Sequence, residues 1–252
     1  MKNKVHKKSK NIYQIFGING FLNVINNNNI KISHIDLMQG GYAARKKDII
    51  NNINKKSISI NRLPKEQFLK KYLGKRTQGI VVRFIGNFIK DFNLYQKSKN
   101  NECLLVVDNL EDPQNLGQII RTAECANIKG LLVPEHGSVQ VTDSVLQVSQ
   151  GAFVHLPIYK CGNLHRELVR LKKENFWIIG VENSIQAKQW HEIDYRRNMV
   201  LVLGSEGKGI RPLIIKTCDE LITIPMHGSI NSLNVSSAAS IVLFERQRQL
   251  SI

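Results

Sequence analysis

A chain of 252 residues with a formal charge of +16 is long enough to bury a core, as one large domain or two small ones. No apolar run reaches the length needed to cross a bilayer. Cys103, Cys125, Cys161 and Cys218 are scattered, with no C-x-x-C pair and no histidine at zinc spacing. That sets aside a disulfide framework or a metal site; such cysteines are expected as buried apolar fillers in a reducing cytoplasm.

The charge is unevenly placed. Residues 1–100 hold 21 Lys/Arg against 4 Asp/Glu, whereas residues 101–252 hold 15 against 16. Stretches such as "NVINNNNIKI" suggest a nucleotide bias that inflates lysine, but such drift would inflate both halves alike. The first hundred residues therefore read as a polyanion-binding segment and the rest as a neutral globular body. No basic amphipathic helix of clear period appears, which disfavours a membrane surface.

Residues 1–11 read as a basic tail. They resemble the charged start of a secretory signal, but "NIYQIFGINGFLNVI" is interrupted by Asn and Gln and no small-residue cleavage site follows. A soluble, cytoplasmic protein is expected. Residues 12–85 carry a mixed α/β pattern, with "YQIFGINGFLNVI" predicted as a helix and "GIVVRF" as a strand. Lys46, Lys47, Lys70, Lys71, Lys75 and Arg76 in this segment are candidates for RNA phosphates, giving affinity without reading sequence. Residues 86–101 lose periodicity and end polar, which predicts a linker.

From residue 102 the grammar changes. "CLLVVD", "GLLVP", "FWIIGVE", "MVLVLG" and "LITIPM" are short apolar runs of the kind buried on both faces of a parallel sheet. Between them "NLGQIIRTAECAN", "LHRELVRLKKEN" and "IRPLIIKTCDE" carry helical spacing, with Asn115 expected as an N-cap and Pro212 in a first helical turn. Val235, Ala238, Ala239, Val242 and Leu243 mark a last helix. This alternation predicts an α/β fold with a parallel sheet, and ligands of such sheets sit at the carboxyl ends of the strands. Three loops fall there: "NLEDPQNLG", "GSEGKG" and "HGSINSLN".

These loops supply glycines, amides and hydroxyls (Asn109, Asn115, Ser205, Ser229, Asn231, Ser232, Asn234), one acid, Glu206, and Arg121 on the adjacent helix. Gly204, Gly207 and Gly209 read G-x-x-G-x-G, which is not the dinucleotide fingerprint, and Lys208 lacks the following Ser or Thr of a P-loop. "WHEI" at 190–193 is not a zincin, because Tyr195 stands where the second histidine belongs. No Ser-His-Asp order, Cys-His pair or carboxylate pair supports hydrolysis. A loop rich in backbone donors and poor in positive charge suits a polar, planar nucleoside gripped by Leu203, Ile224 and Leu233.

"NLEDPQNLGQIIRTAECA", "VLGSEGKGI" and "IPMHGSINSLNVSSAASIVLFE" resemble the three ordered motifs of the SpoU/TrmH branch of the SPOUT RNA methyltransferases, nearest to the bacterial 23S rRNA guanosine-2'-O-methyltransferase type. "IYQIFGINGFLNVI" and "KRTQGIVVRF" are more loosely similar to that type's small L30e-like RNA-binding domain. The resemblance implies a SPOUT fold over 102–252 whose carboxyl-terminal segment forms a trefoil knot. It implies S-adenosylmethionine held in that knot and a homodimer with its sites near the interface. Gly204, Ile224 and Leu233 fall on the cofactor positions, and Leu203, Gly209 and Met226 beside them complete the candidate cofactor wall. Asn115, Arg121, Glu206, Ser232 and Asn234 fall on the catalytic polar positions.

The implied reaction is 2'-O-ribose methylation of a guanosine in 23S rRNA. Arg121 would stabilise a developing alkoxide, since a guanidinium is always charged and makes a poor base. Glu206 could accept the proton, bind substrate or fix its loop; Ser232 and Asn234 could touch RNA or cap the last helix. Lys208 reads as a solvated loop lysine. Competing readings are the same chemistry on tRNA and, from another class, a non-catalytic RNA-binding protein. A Rossmann oxidoreductase is disfavoured by the missing fingerprint.

Overall fold

The computed structural model describes residues 12–97, 101–184 and 186–252; the expected basic tail over 1–11 lies outside them. The chain divides into two compact units, Met1–Asn87 and Phe88–Ile252.

In the first unit, β1 (Ile12–Phe16), β2 (Ile30–Met38), β3 (Ile60–Leu63) and β4 (Ile80–Gly86) form one mixed sheet in the order β1-β4-β2-β3. The predicted first helix is corrected here. "IYQIF" is strand, pairing antiparallel to β4, and only α1 (Ile18–Ile25) is helical. The turn between them is made by Gly17 at φ 86. The apolar run is continuous across both elements, so helical spacing alone cannot find that break. Helices α2 (Tyr42–Arg45), α3 (Lys47–Lys55) and α4 (Lys65–Lys71) complete the unit. Phe21, Ile35, Leu37, Ile53, Phe68 and Phe84 are fully buried in it.

One charged group sits among them. Asp36 is 1% exposed and accepts hydrogen bonds from Lys71 Nζ (2.7 Å), Asn61 Nδ2 (2.9 Å) and the Tyr72 hydroxyl, with His34 Nε2 at 2.9 Å. Burial opposes its ionisation, but Lys71, Tyr72, Asn61 and His34 outweigh it and hold the carboxyl well below the usual range.

The second unit is built on eight strands, all paired parallel. β5 (Ile89–Asp91), β6 (Cys103–Val107), β7 (Gly130–Pro134), β8 (Ile158–Cys161), β9 (Trp177–Val181), β10 (Lys188–Gln189), β11 (Met199–Leu203) and β12 (Glu220–Thr223) lie in the order β10-β12-β9-β11-β6-β7-β8-β5. Every residue of β6, β7 and β11 is buried, as a sheet covered on both faces requires. Each large apolar side chain so buried contributes about 1.5–3 kcal/mol. The expected linker is corrected too. Residues 89–91 form the edge strand, and Phe92 and Tyr95 pack with Tyr159, Leu168 and Phe176 in the core. Their apolar residues alternate with Lys, Asp and Asn, which hides the pattern.

Helices α5 (Pro113–Cys125), α6 (Asp143–Val148), α7 (Leu164–Lys173), α8 (Pro212–Ile215) and α9 (Val235–Leu250) cover the sheet. α5 does not begin at Asn115. Asp112 is the N-cap, its carboxylate accepting from Gln114 N at 2.8 Å, and Pro113 occupies the first turn. Gly117 lets α5 approach α6, because a Cβ there would lie 2.5 Å from Val148. α8 is a single turn opened by Pro212, shorter than the predicted stretch 210–220. Among the described residues, no helix is long and apolar enough to cross a membrane.

Candidate active site

The three loops predicted to share one end of the sheet are brought together. After β6, Asp108 is fully buried and fixes Arg211, accepting from its Nε at 2.8 Å, its Nη2 at 2.6 Å and its backbone N–H at 2.9 Å. Asn109 then turns at φ 58, a conformation Asn tolerates. After β11, the loop Gly204–Ile210 folds back on itself: Ser205 and Gly209 exchange backbone hydrogen bonds of 3.2 and 2.9 Å. Only glycine fits at 204, where a Cβ would lie 2.2 Å from the Gly209 carbonyl carbon. Lys208 is an exposed loop lysine, as expected, and its Nζ pairs with the exposed Glu111 at 2.7 Å.

Asn115, Glu206 and Asn234 meet at one point. Glu206 Oε1 accepts from Asn115 Nδ2 at 2.9 Å and from Asn234 Nδ2. Asn234 Nδ2 also donates to Asn115 Oδ1 at 2.9 Å. The same Asn234 is the N-cap of α9, its Oδ1 accepting from Ser236 N at 2.9 Å and Ser237 N at 3.4 Å. It is therefore both a cap and a member of the polar cluster. Asn115 is buried inside the first turn of α5 and serves the cluster alone.

Beside this cluster lies a cavity of about 300 Å³, within the usual range for a small-ligand site. Leu203, Gly204, Gly209, Ile224, Met226 and Leu233 line it, together with Glu206 and Ser232. β12 stops at Thr223, so Ile224 and Met226 belong to the loop that walls the cavity and not to the predicted strand. Ser205 Oγ is buried at the wall with no hydrogen-bond partner. A buried hydroxyl left so costs free energy unless a ligand satisfies it. Arg121 is not brought in: it is exposed on α5 and does not line the cavity.

Glu182 and Asn183, with Val181 and Thr223, line the cavity without having been expected there. Glu182, just beyond β9, accepts from the Ile210 backbone N–H at 2.9 Å. Asn183 donates to the Asn231 carbonyl at 2.7 Å, linking the loop after β9 to that after β12. Both looked like the ragged end of a strand, and an acid directly after "IIGV" at a carboxyl edge was the available signal.

In the first unit Lys46, Lys47, Lys70, Lys75 and Arg76 are exposed. Lys71 is exposed as well, with its Nζ paired to the buried Asp36 at 2.7 Å. Cys103 and Cys161 are buried, but Cys125 is exposed, against expectation. Burial pushes the thiols up, Cys103 to about 11 and Cys161 and Cys218 to about 12, so these three are not nucleophiles at neutral pH.

The family model of the SpoU rRNA Methylase family matches residues 102–244. A 23S rRNA (guanosine-2'-O-)-methyltransferase of Xylella fastidiosa (strain 9a5c) is 34% identical over 241 residues, 93% of this chain and 96% of its own. A protein of Staphylococcus aureus (strain COL) assigned to the TrmH family of tRNA/rRNA methyltransferases is 32% identical, over 85% and 87%. Among solved structures, the AdoMet-bound rRNA methyltransferase of Sinorhizobium meliloti superposes with a TM-score of 0.79 at 19% identity, covering 95% of this chain and 88% of that one. AviRb of Streptomyces viridochromogenes, a SpoU methyltransferase in complex with AdoMet, gives 0.79 at 18%, covering 95% and 91%. At these identities the superpositions show the fold.

Proposed function

The chain belongs to the SpoU rRNA Methylase family, and from that premise we propose that it methylates the ribose 2'-hydroxyl of a guanosine in 23S rRNA, using S-adenosylmethionine. The observation that carries the reading is the Asn115–Glu206–Asn234 cluster beside a nucleoside-sized cavity. The residues present fit the cofactor. Leu203, Ile224 and Leu233 supply apolar walls, the glycine turn brings backbone close, and the orphaned Ser205 hydroxyl is a donor awaiting a partner. When bound, the cofactor supplies an electrophilic methyl group on a sulfonium.

The chain's own residues do the rest. Asn115 and Asn234 engage Oε1 of Glu206 and fix its carboxylate, leaving Oε2 to take the hydrogen bond of the substrate hydroxyl. Positioning of this kind is worth several kcal/mol, roughly 7–11 for a well-aligned pair. Ser232, at the cavity wall, is assigned to the ribose. Arg121 supplies the countercharge for the developing alkoxide. Because it is exposed and away from the cavity wall of its own chain, we assign that role across a homodimer, with a second copy presenting Arg121 to the site.

The remaining finer features are proposed with it. The glycine turn and the segment 224–235 wall one cavity, a closeness that supports a trefoil knot in this part of the chain. The mixed sheet of the first unit, with its exposed lysines, supports an L30e-like RNA-binding domain. The family's chemistry on ribosomal RNA supports a cytoplasmic setting. Ribose methylation mapped across rRNA and tRNA, from cells with and without the protein, tests the function. Loss of one 23S guanosine methylation is the expected result. Loss confined to tRNA would redirect the substrate, and no loss in either would defeat the reading.

A further inference from the structure

Three charged side chains line the cavity: Glu182, Glu206 and Lys208. Lys208 is largely exposed and reaches out to Glu111 at 2.7 Å, which leaves the two carboxylates outnumbering it at the wall. Glu206 is already claimed by Asn115 and Asn234. Glu182 is not claimed by that cluster. Its Oε2 takes one backbone N–H, from Ile210, and both of its oxygens would lie within 2.8 Å of a Cβ at Gly209. The carboxylate is thus pressed against the glycine turn on the cavity side. An acid this close to a nucleoside site has a cost unless something there rewards its charge, because the Ile210 N–H would be served equally by a neutral amide oxygen.

We infer that Glu182 is a specificity-determining residue that reads the positive charge of the methyl donor. This rests on the proposed methyl-donor reading of the cavity. S-adenosylmethionine carries one positive charge more than the demethylated thioether S-adenosylhomocysteine, and the two are otherwise nearly the same shape. A fixed carboxylate at the wall, in a partly desolvated site, attracts the first and is indifferent to the second. The consequence is a pocket that fills with donor and releases spent product, without any contact to RNA.

Calorimetric titration of the full chain with both ligands and with sinefungin, a donor analogue bearing an amine in place of the sulfonium, tests this. Glu182→Gln keeps an oxygen for the Ile210 N–H and removes the charge. It is expected to weaken S-adenosylmethionine and sinefungin about tenfold, or 1.4 kcal/mol, while S-adenosylhomocysteine changes less than about twofold on the same scale. Equal weakening of all three ligands, or of none, would overturn the inference and leave Glu182 as loop support. Glu182→Asp shortens the reach but keeps the charge. It should retain the preference for the cationic ligands even if all three weaken together, and loss of that preference would also overturn the inference. A wild-type chain that binds none of the three defeats the methyl-donor reading itself.

Discussion

The two units of this chain solve different problems with different residues. Residues 12–87 carry 13 Lys/Arg against 3 Asp/Glu, while residues 88–252 carry 18 against 17. In the first unit most of those cations stand on the surface and one buried acid, Asp36, is tied down by four neighbours. In the second, charges at the sheet's carboxyl edge are paired off, Asp108 with Arg211 and Glu111 with Lys208. What remains in the cavity is amide, hydroxyl, glycine and acid. Under the proposed function, affinity for a polyanion and chemistry on one of its riboses would be separated: the first unit would hold RNA by charge, and the second would hold a nucleoside in its cavity.

Salt should expose that division most sharply. If the exposed lysines of the first unit neutralise half a dozen or more phosphates, raising salt from about 50 to about 200 mM should lower RNA affinity roughly a thousandfold. S-adenosylmethionine affinity, measured by calorimetry over the same range, should change little. A steep salt response of the cofactor, or a flat one of RNA, would erase the distinction. The next effect down is Arg121→Ala. Removing a transition-state countercharge should cost about a hundredfold or more in turnover, with cofactor affinity unchanged. Mixing this variant with Gly204→Val, whose Cβ would collide with the Gly209 backbone and spoil that copy's own cofactor loop, should restore part of the activity if Arg121 acts across a dimer. A mixture as inactive as its components would return Arg121 to its own chain or remove it from the site.

The sheet of the second unit was legible because buried parallel strands announce themselves. "CLLVV", "GLLVP" and "MVLVL" have no polar residue to confuse the period. Placement of the site followed from the same pattern, since the loops at the carboxyl ends had to converge. What failed were boundaries set by competition. "YQIF" runs into "INGFLNVI" without an apolar break, and the turn at Gly17 is the only divider. Asp112 outcompetes Asn115 as cap because Pro113, fixed at a helical φ, follows it directly. The strands β5, β8 and β10 are short, from two to four residues, too few for a period to register. The polar cluster lay furthest from view. Asn115 and Glu206 are 91 positions apart and Asn115 and Asn234 are 119 apart; their meeting was supplied by family resemblance, and no local pattern encodes it.

Asn234 is where the comparison can be sharpened at the smallest cost in structure, because it holds a helix with one atom and an acid with another. Asn234→Ala removes both, and should cost about 1 kcal/mol of stability for the lost cap along with activity, so it cannot separate them. Asn234→Asp can. A carboxylate oxygen still accepts from Ser236 N and Ser237 N, and Asp caps as well as Asn, so the cap's share of stability should hold to within about 0.5 kcal/mol. The Nδ2 donor is gone, however, and a second negative charge now faces Glu206 Oε1. Two carboxylates that close repel each other and push Glu206 out of its place beside the cavity. Turnover should therefore fall about tenfold, because Glu206 loses the donor that helps fix its carboxylate. A variant with wild-type turnover would show that Asn234 serves the helix alone, and that the acid in the cavity is held by Asn115 without it.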